Sequence, residues 1–461
     1  MRCPLKKYLV PIFILFFSVN VFAASHYIRA GATGANNGSS WANAWTTFST
    51  VTWTRGDTYY VAGGAYTENI VIPTLSGTSW ITIKKANATD NSSDSNWDPS
   101  YAATQAVING KLRIGSSYVK IDGVTGSGES GHGIKIHESI LAGNTKVVDV
   151  AQIGSIYLHH LEIRGSGYAG ATGQDGIYWV NVNTLPQKGL HVSYCYIHEV
   201  TRNGVTIGAA NGTSYDDYGV LFENNFLSET GGCTDVNTHG QGIQVSWSST
   251  DYYTIFRNNI FRNVLGTAFI AYLGGASAIH SQSRIYNNIF YTTDYSTYNV
   301  SPGIVFIHSS KSVSDIYFYN NTIYNVSKAG FFNDFASATN VEVKNNIWTN
   351  SNFTYPRGNV GYTSSSNNGY FNNTGRGAPA TTESSDPFVN SLAHDFQLKA
   401  TAKAVDNGTS LCCYFTTDKN GVCRPQGSAW AIGAYEYSAT PKAICTCECV
   451  APARNSLPRH P

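Results

Sequence analysis

Five heptapeptides repeat one pattern of small, apolar and polar positions: QDGIYWV from Gln174, RNGVTIG from Arg202, GQGIQVS from Gly240, GTAFIAY from Gly266 and PGIVFIH from Pro302. A small residue precedes an apolar one, then comes any residue, then usually another apolar one. That alternation has period two, which marks a strand with one face buried. A second set lies between them. VLFENNFLSE, YTIFRNNIFRNV, RIYNNIFYT, IYFYNNTIYN and VEVKNNIWTN each place an asparagine pair between short apolar runs. Asparagine is a poor strand former, so each pair marks a bend between two strands. The second asparagines are Asn225, Asn259, Asn288, Asn321 and Asn346, at steps of 34, 29, 33 and 25 residues. Two earlier segments, VSYCYIHEV and YLHHLEIRG, fit with Cys195 and His160 in that place.

Each repeat therefore holds three short strands: one with the glycine-apolar motif, one before the asparagines and one after them. The variable step excludes a strict-period solenoid and predicts constant strands joined by loops of variable length. Three strands per turn, stacked in parallel, predict an all-β, right-handed, single-stranded parallel β-helix. The asparagine amides then stack along the axis as a ladder. Ile260, Ile289 and Ile347, which follow the bend, are expected to fill the interior. An open stack exposes strand edges at both ends, so capped ends are expected. Trp41, Trp45 and Phe48 recur at helical spacing, predicting a short amphipathic helix over the first coil.

This pattern resembles the right-handed parallel β-helix proteins of the pectate-lyase-like superfamily. The opening YIRAGATGANNGSSWANAWTTFSTV and the closing DPFVNSLAHDFQLKATAKAVDNG with AIGAYEY also resemble the ends of exported members. The resemblance spans residues 27–437 and carries fold and exported context. The organisation expected is a signal peptide at 1–23, an N-terminal cap and first coils at 24–110, β-helix coils at 111–380, a closing segment at 381–437, and a tail or linker at 438–461. The resemblance implies a groove lined by the loops entering the glycine-apolar strands and by the outward face of those strands. The longest such loops precede Ile177, Val205 and Ile243. Asp175, Asn203 and Gln241 occupy equivalent places in three successive coils, with Tyr178, Thr206 and Gln244 pointing outward beyond them.

Composition agrees with a turn-rich β protein: 44 glycines and 13% charged residues, with 42% apolar residues against disorder. Arg2, Lys6 and Lys7, the apolar run YLVPIFILFF and VFA ending at Ala23 form a secretory leader. The expected location is secreted, extracellular, periplasmic or at the cell surface. The leader holds three basic residues and no acidic one, so 30 Lys+Arg against 29 Asp+Glu become 27 against 29 on its removal. That near-neutral balance argues against nucleic acid as partner. No later stretch is apolar enough to span a membrane, and a monomer is expected. Eight cysteines remain after Cys3, an even number that suits disulfides among the late ones. The Cys445, Cys447, Cys449 run also has the character of a soft-metal site.

Two chemistries suit the groove. A polysaccharide lyase needs a cation against the uronate carboxylate and a base for the adjacent proton. Arg202, His198 and His239 are candidates, with Tyr178 a proton donor. A glycosidase needs two carboxylates across the scissile bond. Asp175, Glu199, Glu229 and Asp235 are candidates, and Glu199 and Glu229 in adjacent coils would raise each other's pKa. Against this, both follow the bend at the place where the next coil carries Asn263, as solvated turn residues would. Asn203, Gln241, Tyr178, Gln244 and Trp247 are candidate substrate-binding residues, whereas Trp179 should point inward by parity. Asp235 and Asn237 supply two oxygen ligands toward calcium, too few for a site on their own. His132, in the GHG at 131–133, lacks the neighbouring elements of the polygalacturonase motif and reads as a turn residue. The expected partner is a polysaccharide or cell-surface glycan, cleaved in the groove or, alternatively, only bound by an adhesin-like surface. Convergence of Asp175, Arg202, Asp235 and His239 in one cleft would favour the enzyme.

Overall fold

The structure is a computed structural model that describes residues 23–140, 143–151, 153–170, 172–180, 189–208, 212–233, 240–246, 250–266, 268–274, 279–294, 303–309, 312–326, 331–333, 338–351, 360–373, 381–440 and 445. Three long sheets run along one axis, and every ladder in them is parallel. The first, of 12 strands, collects the strands that precede the asparagine bend, from Ser25–Ile28 to Val360–Ser366. The second, also of 12, collects those that follow it, from Gly64–Tyr66 to Thr381–Thr382. The third, of 9, collects the glycine-apolar strands, from Ile70–Ile72 to Phe331–Asn333. Successive coils pair in register; Ile177 sits beside Val205, and Val205 beside Ile243. This is the expected coil of three strands per turn.

The asparagines divide two tasks. The first of each pair takes the left-handed backbone that the tight bend requires, with φ of 56° at Asn224, 59° at Asn258 and 55° at Asn287. The second turns its amide inside and builds the ladder. The Asn288 backbone N–H and Nδ2 both donate to Oδ1 of Asn321, at 2.9 and 3.0 Å. Its own Oδ1 accepts the same two bonds from Asn259, and its Nδ2 also reaches the Phe256 carbonyl. Asn225 heads the run and Asn368 adds a rung beyond the five predicted. Cys195 takes the place expected of it, with its backbone N–H donating to Asn225 Oδ1.

Three local expectations are corrected. His160 is the left-handed residue (φ 55°), and Leu161 takes the inward ladder place, its N–H donating to Cys195 Sγ. Ile260, Ile289 and Ile347 lie outside the coil, because the inward amide flips the next side chain outward. Phe261, Phe290 and Trp348 fill the interior instead. Ile289 and Ile347 are covered by the closing segment, against Phe388, Phe396 and Ile432. Trp41, Trp45 and Phe48 are buried as a cap, yet only a single 3₁₀ turn, Phe48–Thr50, forms there. Trp45 is instead held as a β-bridge to Ile28.

The closing segment is anchored by a fully buried ion pair, Arg424 to Glu436 at 3.0 Å, with Arg424 also donating to the Ala431 and Gly433 carbonyls. Cys423 is joined to Cys445, and Cys412 and Cys413 are disulfide-bonded too. Among the described residues no helix is long and apolar enough to cross a membrane.

Candidate functional site

The third sheet alternates inward Ile177, Val205 and Ile243 with outward Tyr178, Thr206 and Gln244, which are in register. One coil earlier, Asp149 pairs with Tyr178 and Lys146 with Asp175. The corner leading into this sheet is built from short polar side chains. Thr201 Oγ1 accepts from the Gln174 N–H and donates to the Thr172 carbonyl. Gln174 Oε1 accepts from the N–H and hydroxyl of Ser166, and the Arg202 N–H donates to the Gln174 carbonyl. Those bonds fix the backbone from which Asp175 and Arg202 project.

Asp175 is fully buried and Arg202 grips it with two bonds, Nε to Oδ1 at 2.8 Å and Nη2 to Oδ2. The Asn203 N–H adds a third bond to Oδ1 at 3.2 Å. Burial alone would lower the Arg202 pKa, but the bonds and charge of Asp175 outweigh it and raise the pKa. The guanidinium is thus a permanent cation, and its side chain keeps 21% of its surface exposed. Asp175 acts as its anchor, with its lone pairs occupied; the placement removes it from the pair of free carboxylates that hydrolysis requires.

Asn203 ties the neighbouring coils together. Its Nδ2 donates to Thr206 Oγ1 and to Gln244 Oε1, both at 2.9 Å, and its Oδ1 accepts from the Gln241 N–H. Thr206 and Gln244 stand on the outward side as expected but are almost wholly covered. Asn203, Gln241 and Gln244 therefore serve as framework more than as contact surface. Tyr178 stays half-buried, with Lys146 Nζ 4.1 Å from the centre of its ring and 3.8 Å from Asp149 Oδ1. Burial, then the Asp175 charge, raises the Tyr178 pKa, so the phenol holds its proton at neutral pH. Trp179 points inward, as parity requires, and donates to the Ile153 carbonyl.

Glu199 does not join this group. It has left-handed backbone (φ 54°), as do Glu229 and Asn263 at equivalent bends. Its carboxylate pairs with Arg164 at 2.8 Å and His198 at 3.3 Å on the second sheet. Burial would raise its pKa, but the Arg164 bond and the His198 charge prevail and lower it, so mutual elevation with Glu229 is not what governs it. Glu229 pairs with Arg262. His198 also meets Glu162, which Lys135 and Gln105 hold as well. That cluster is a closed ion-pair network across coils. Asp235, Asn237, His239 and Trp247 lie outside the described residues. Among the described residues no group of three or more metal-ligating side chains is present. His132 is buried, its Nε2 donating to the Tyr194 carbonyl.

Lys146 was not foreseen. Its signal was the Lys–x–x–Asp spacing in TKVVDV, legible only once that strand is known to neighbour QDGIYWV.

No protein-family model matches the chain, and no curated protein matches it in sequence. Solved structures do. The pectate lyase Pel9A aligns over 90% of this chain and 98% of its own, at 14% identity and a TM-score of 0.51. An alginate lyase from Paenibacillus sp. str. FPU-7 aligns over 67% of this chain and 93% of its own, at 14% identity and a TM-score of 0.39. The GH136 lacto-N-biosidase from Eubacterium ramulus aligns over 69% and 67%, at 11% identity and a TM-score of 0.32. Its three all-parallel sheets make the chain a parallel β-helix, and in that fold it is similar to the pectate lyase Pel9A.

Proposed function

We propose that the protein is an exported enzyme that cleaves an acidic polysaccharide by β-elimination on the outer face of the third sheet. The observation that carries this reading is the Asp175–Arg202 pair, which presents a fixed cation beside a protonated phenol, Tyr178, and a second cation, Lys146. In the proposed step the substrate carboxylate rests against Arg202, which stabilises the carbanion formed when a base removes the proton next to it. The electron pair forms the new carbon–carbon double bond, the glycosidic carbon–oxygen bond breaks, and Tyr178 gives its proton to the departing oxygen. His239, two residues before Gln241 in the sequence, is the proposed base. Hydrolysis fits less well, because the strand carboxylates of this sheet are Asp149 and the buried, occupied Asp175. The disulfide Cys423–Cys445 supports export into an oxidising compartment. The fold shared with a pectate lyase is compatible with the reading.

The test incubates the protein with acidic and neutral polysaccharides and follows reducing ends together with the ultraviolet absorbance of unsaturated uronates. Both signals should rise together on an acidic polymer. Reducing ends without absorbance would replace elimination by hydrolysis, and retained glycan binding without either signal would favour the adhesin-like alternative. Tyr178→Phe should lower kcat by about 10²-fold or more while leaving the thermal midpoint in place.

A further inference from the structure

The asparagine corner joins the first and second sheets, away from the outer face of the third. Along most of its C-terminal half the closing segment lies over it. There the outward amides of the left-handed asparagines bond to that segment's backbone. Asn287 Nδ2 donates to the Thr417 carbonyl, Asn320 Nδ2 to the Ala431 and Gly433 carbonyls, and Asn367 Nδ2 to the Asn407 carbonyl. Asn345 donates to the Thr409 carbonyl and accepts from its N–H. The corner is thus built to hold a chain of polar groups.

The cover stops short. At the coils of Tyr194, Asn224 and Asn258 the corner opens into a cleft of about 700 Å³. One bank is the turn at Ser127–Gly128, whose loop is pinned by Glu129 to Arg262 at 2.6 Å. The other bank is residues 414–421. Here the Asn224 amide has no hydrogen-bond partner among the described residues, and Asn258 Oδ1 is buried without a donor. Two cations face the opening. Arg257 is held by Glu223 at 2.6 Å and by the Tyr286 hydroxyl, with 36% of its side chain exposed. Lys419 donates to the Asn258 carbonyl and has no carboxylate bonded to it among the described residues; burial lowers its pKa to about 8, which leaves it mostly charged at neutral pH. Tyr194, 40% exposed, offers a ring face on the floor.

We propose that this cleft is a second saccharide site, separate from the outer face of the third sheet, that binds an acidic oligosaccharide. Of the charged groups that line the cleft, Arg257 and Lys419 outnumber Glu223, and Asp418 beside Lys419 turns its carboxylate to the backbone N–H groups of Asn420, Val422 and Glu436, so the lining favours an anion. A simple anion has no donor for the oxygen of the Asn224 amide, whereas a sugar acid brings hydroxyl donors and acceptors for both ends of that amide and a pyranose face for Tyr194. The ligand takes over, on the open coils, the bonds that the closing segment makes on the covered ones. The choice of an acidic sugar rests in part on the proposed activity; the cleft itself does not.

The test uses the full mature protein carrying Tyr178→Phe to suppress turnover. Soluble oligogalacturonate and oligomannuronate are the acidic probes and a cello-oligosaccharide is the neutral one. Calorimetry gives affinity, and hydrogen exchange reads protection at residues 414–421. An acidic probe should protect that segment, with binding weakened by added salt. Tyr194→Ala should weaken this site by roughly tenfold and Lys419→Met by ten- to a hundredfold, on the order expected for a lost charge-assisted bond. Tyr194→Ala in the otherwise native protein should leave kcat on short substrates unchanged. Unchanged exchange at 414–421 with both acidic probes at saturation, or unaltered affinity in both variants, would overturn the site. Protection at 414–421 in a protein that shows no elimination would keep the cleft and remove the proposed activity; elimination without protection would do the reverse.

Discussion

The Asn288 side chain donates two hydrogen bonds and accepts two, all inside the coil. Asn288→Ala leaves several buried groups unmatched, each worth about 1–3 kcal/mol. Chemical denaturation should therefore show a loss of roughly 3–5 kcal/mol. Asn224→Gly, at a left-handed bend with no side-chain partner among the described residues, should stay within about 0.5 kcal/mol of the parent. One residue type, adjacent in sequence, thus carries two separable roles. Histidine shows a different sign. Burial holds His132 down at about 4, despite the bond to the Tyr194 carbonyl and the Glu162 charge. Below pH 6.5 the unfolded chain takes up a proton there and the folded chain does not, so stability falls as pH drops from 6.5 to 4 and is flat above. Glu162 adds to the same acid slope at lower pH. Burial would raise it, but His198, Lys135 and Gln105 hold it at about 2, so its contribution is present above pH 4.5 and is lost between 4.5 and 2. His132→Asn should remove on the order of 3 kcal/mol from the acid slope between pH 6.5 and 4, read from denaturation midpoints across that range.

Between elements, the recurring device is a polar side chain that ties one coil to the next. Arg202 reaches Asp175 in the preceding coil, and Asn203 reaches Gln244 in the following one. Arg202→Ala leaves a buried carboxylate unpaired and should cost about 3–5 kcal/mol. Asp175→Asn with Arg202→Met should recover part of that loss while abolishing the proposed elimination, which separates support of the fold from presentation of the cation. Equal destabilisation in the single and double variants, measured by denaturation, would contradict the anchoring role. The same logic explains Glu199: at the bend its side chain meets Arg164 from the coil before it. The turn residue weighed against catalysis from its equivalence with Asn263 is what the backbone shows. Parity misled at Ile260, because the inward amide of Asn259 consumes one position of the alternation.

At the scale of the whole molecule, the closing segment runs along the outside of the C-terminal coils, covering Ile289 and Ile347 and banking the corner cleft. Replacing Cys423 and Cys445 by Ser opens a loop of 22 residues and should cost about 3 kcal/mol, with the thermal midpoint falling and exchange rising first in residues 414–436. An unchanged midpoint would mean that Arg424 and Glu436 alone hold the segment. The sequence by itself determined the parallel coil, its three strands and the asparagine bends, because each coil repeats the same local demands: a small residue entering a strand, an amide inside, an apolar alternation. It also brought Asp175, Arg202, Asn203, Gln241 and Gln244 together, since equivalent positions in successive coils must stack. Only the tertiary structure decided which carboxylate is spent on which cation, that Lys146 stands over Tyr178, and that the asparagine corner is left open where the closing segment ends. Those outcomes depend on contacts between residues far apart in the chain, where side-chain reach and burial choose the partner and no local periodicity records the choice.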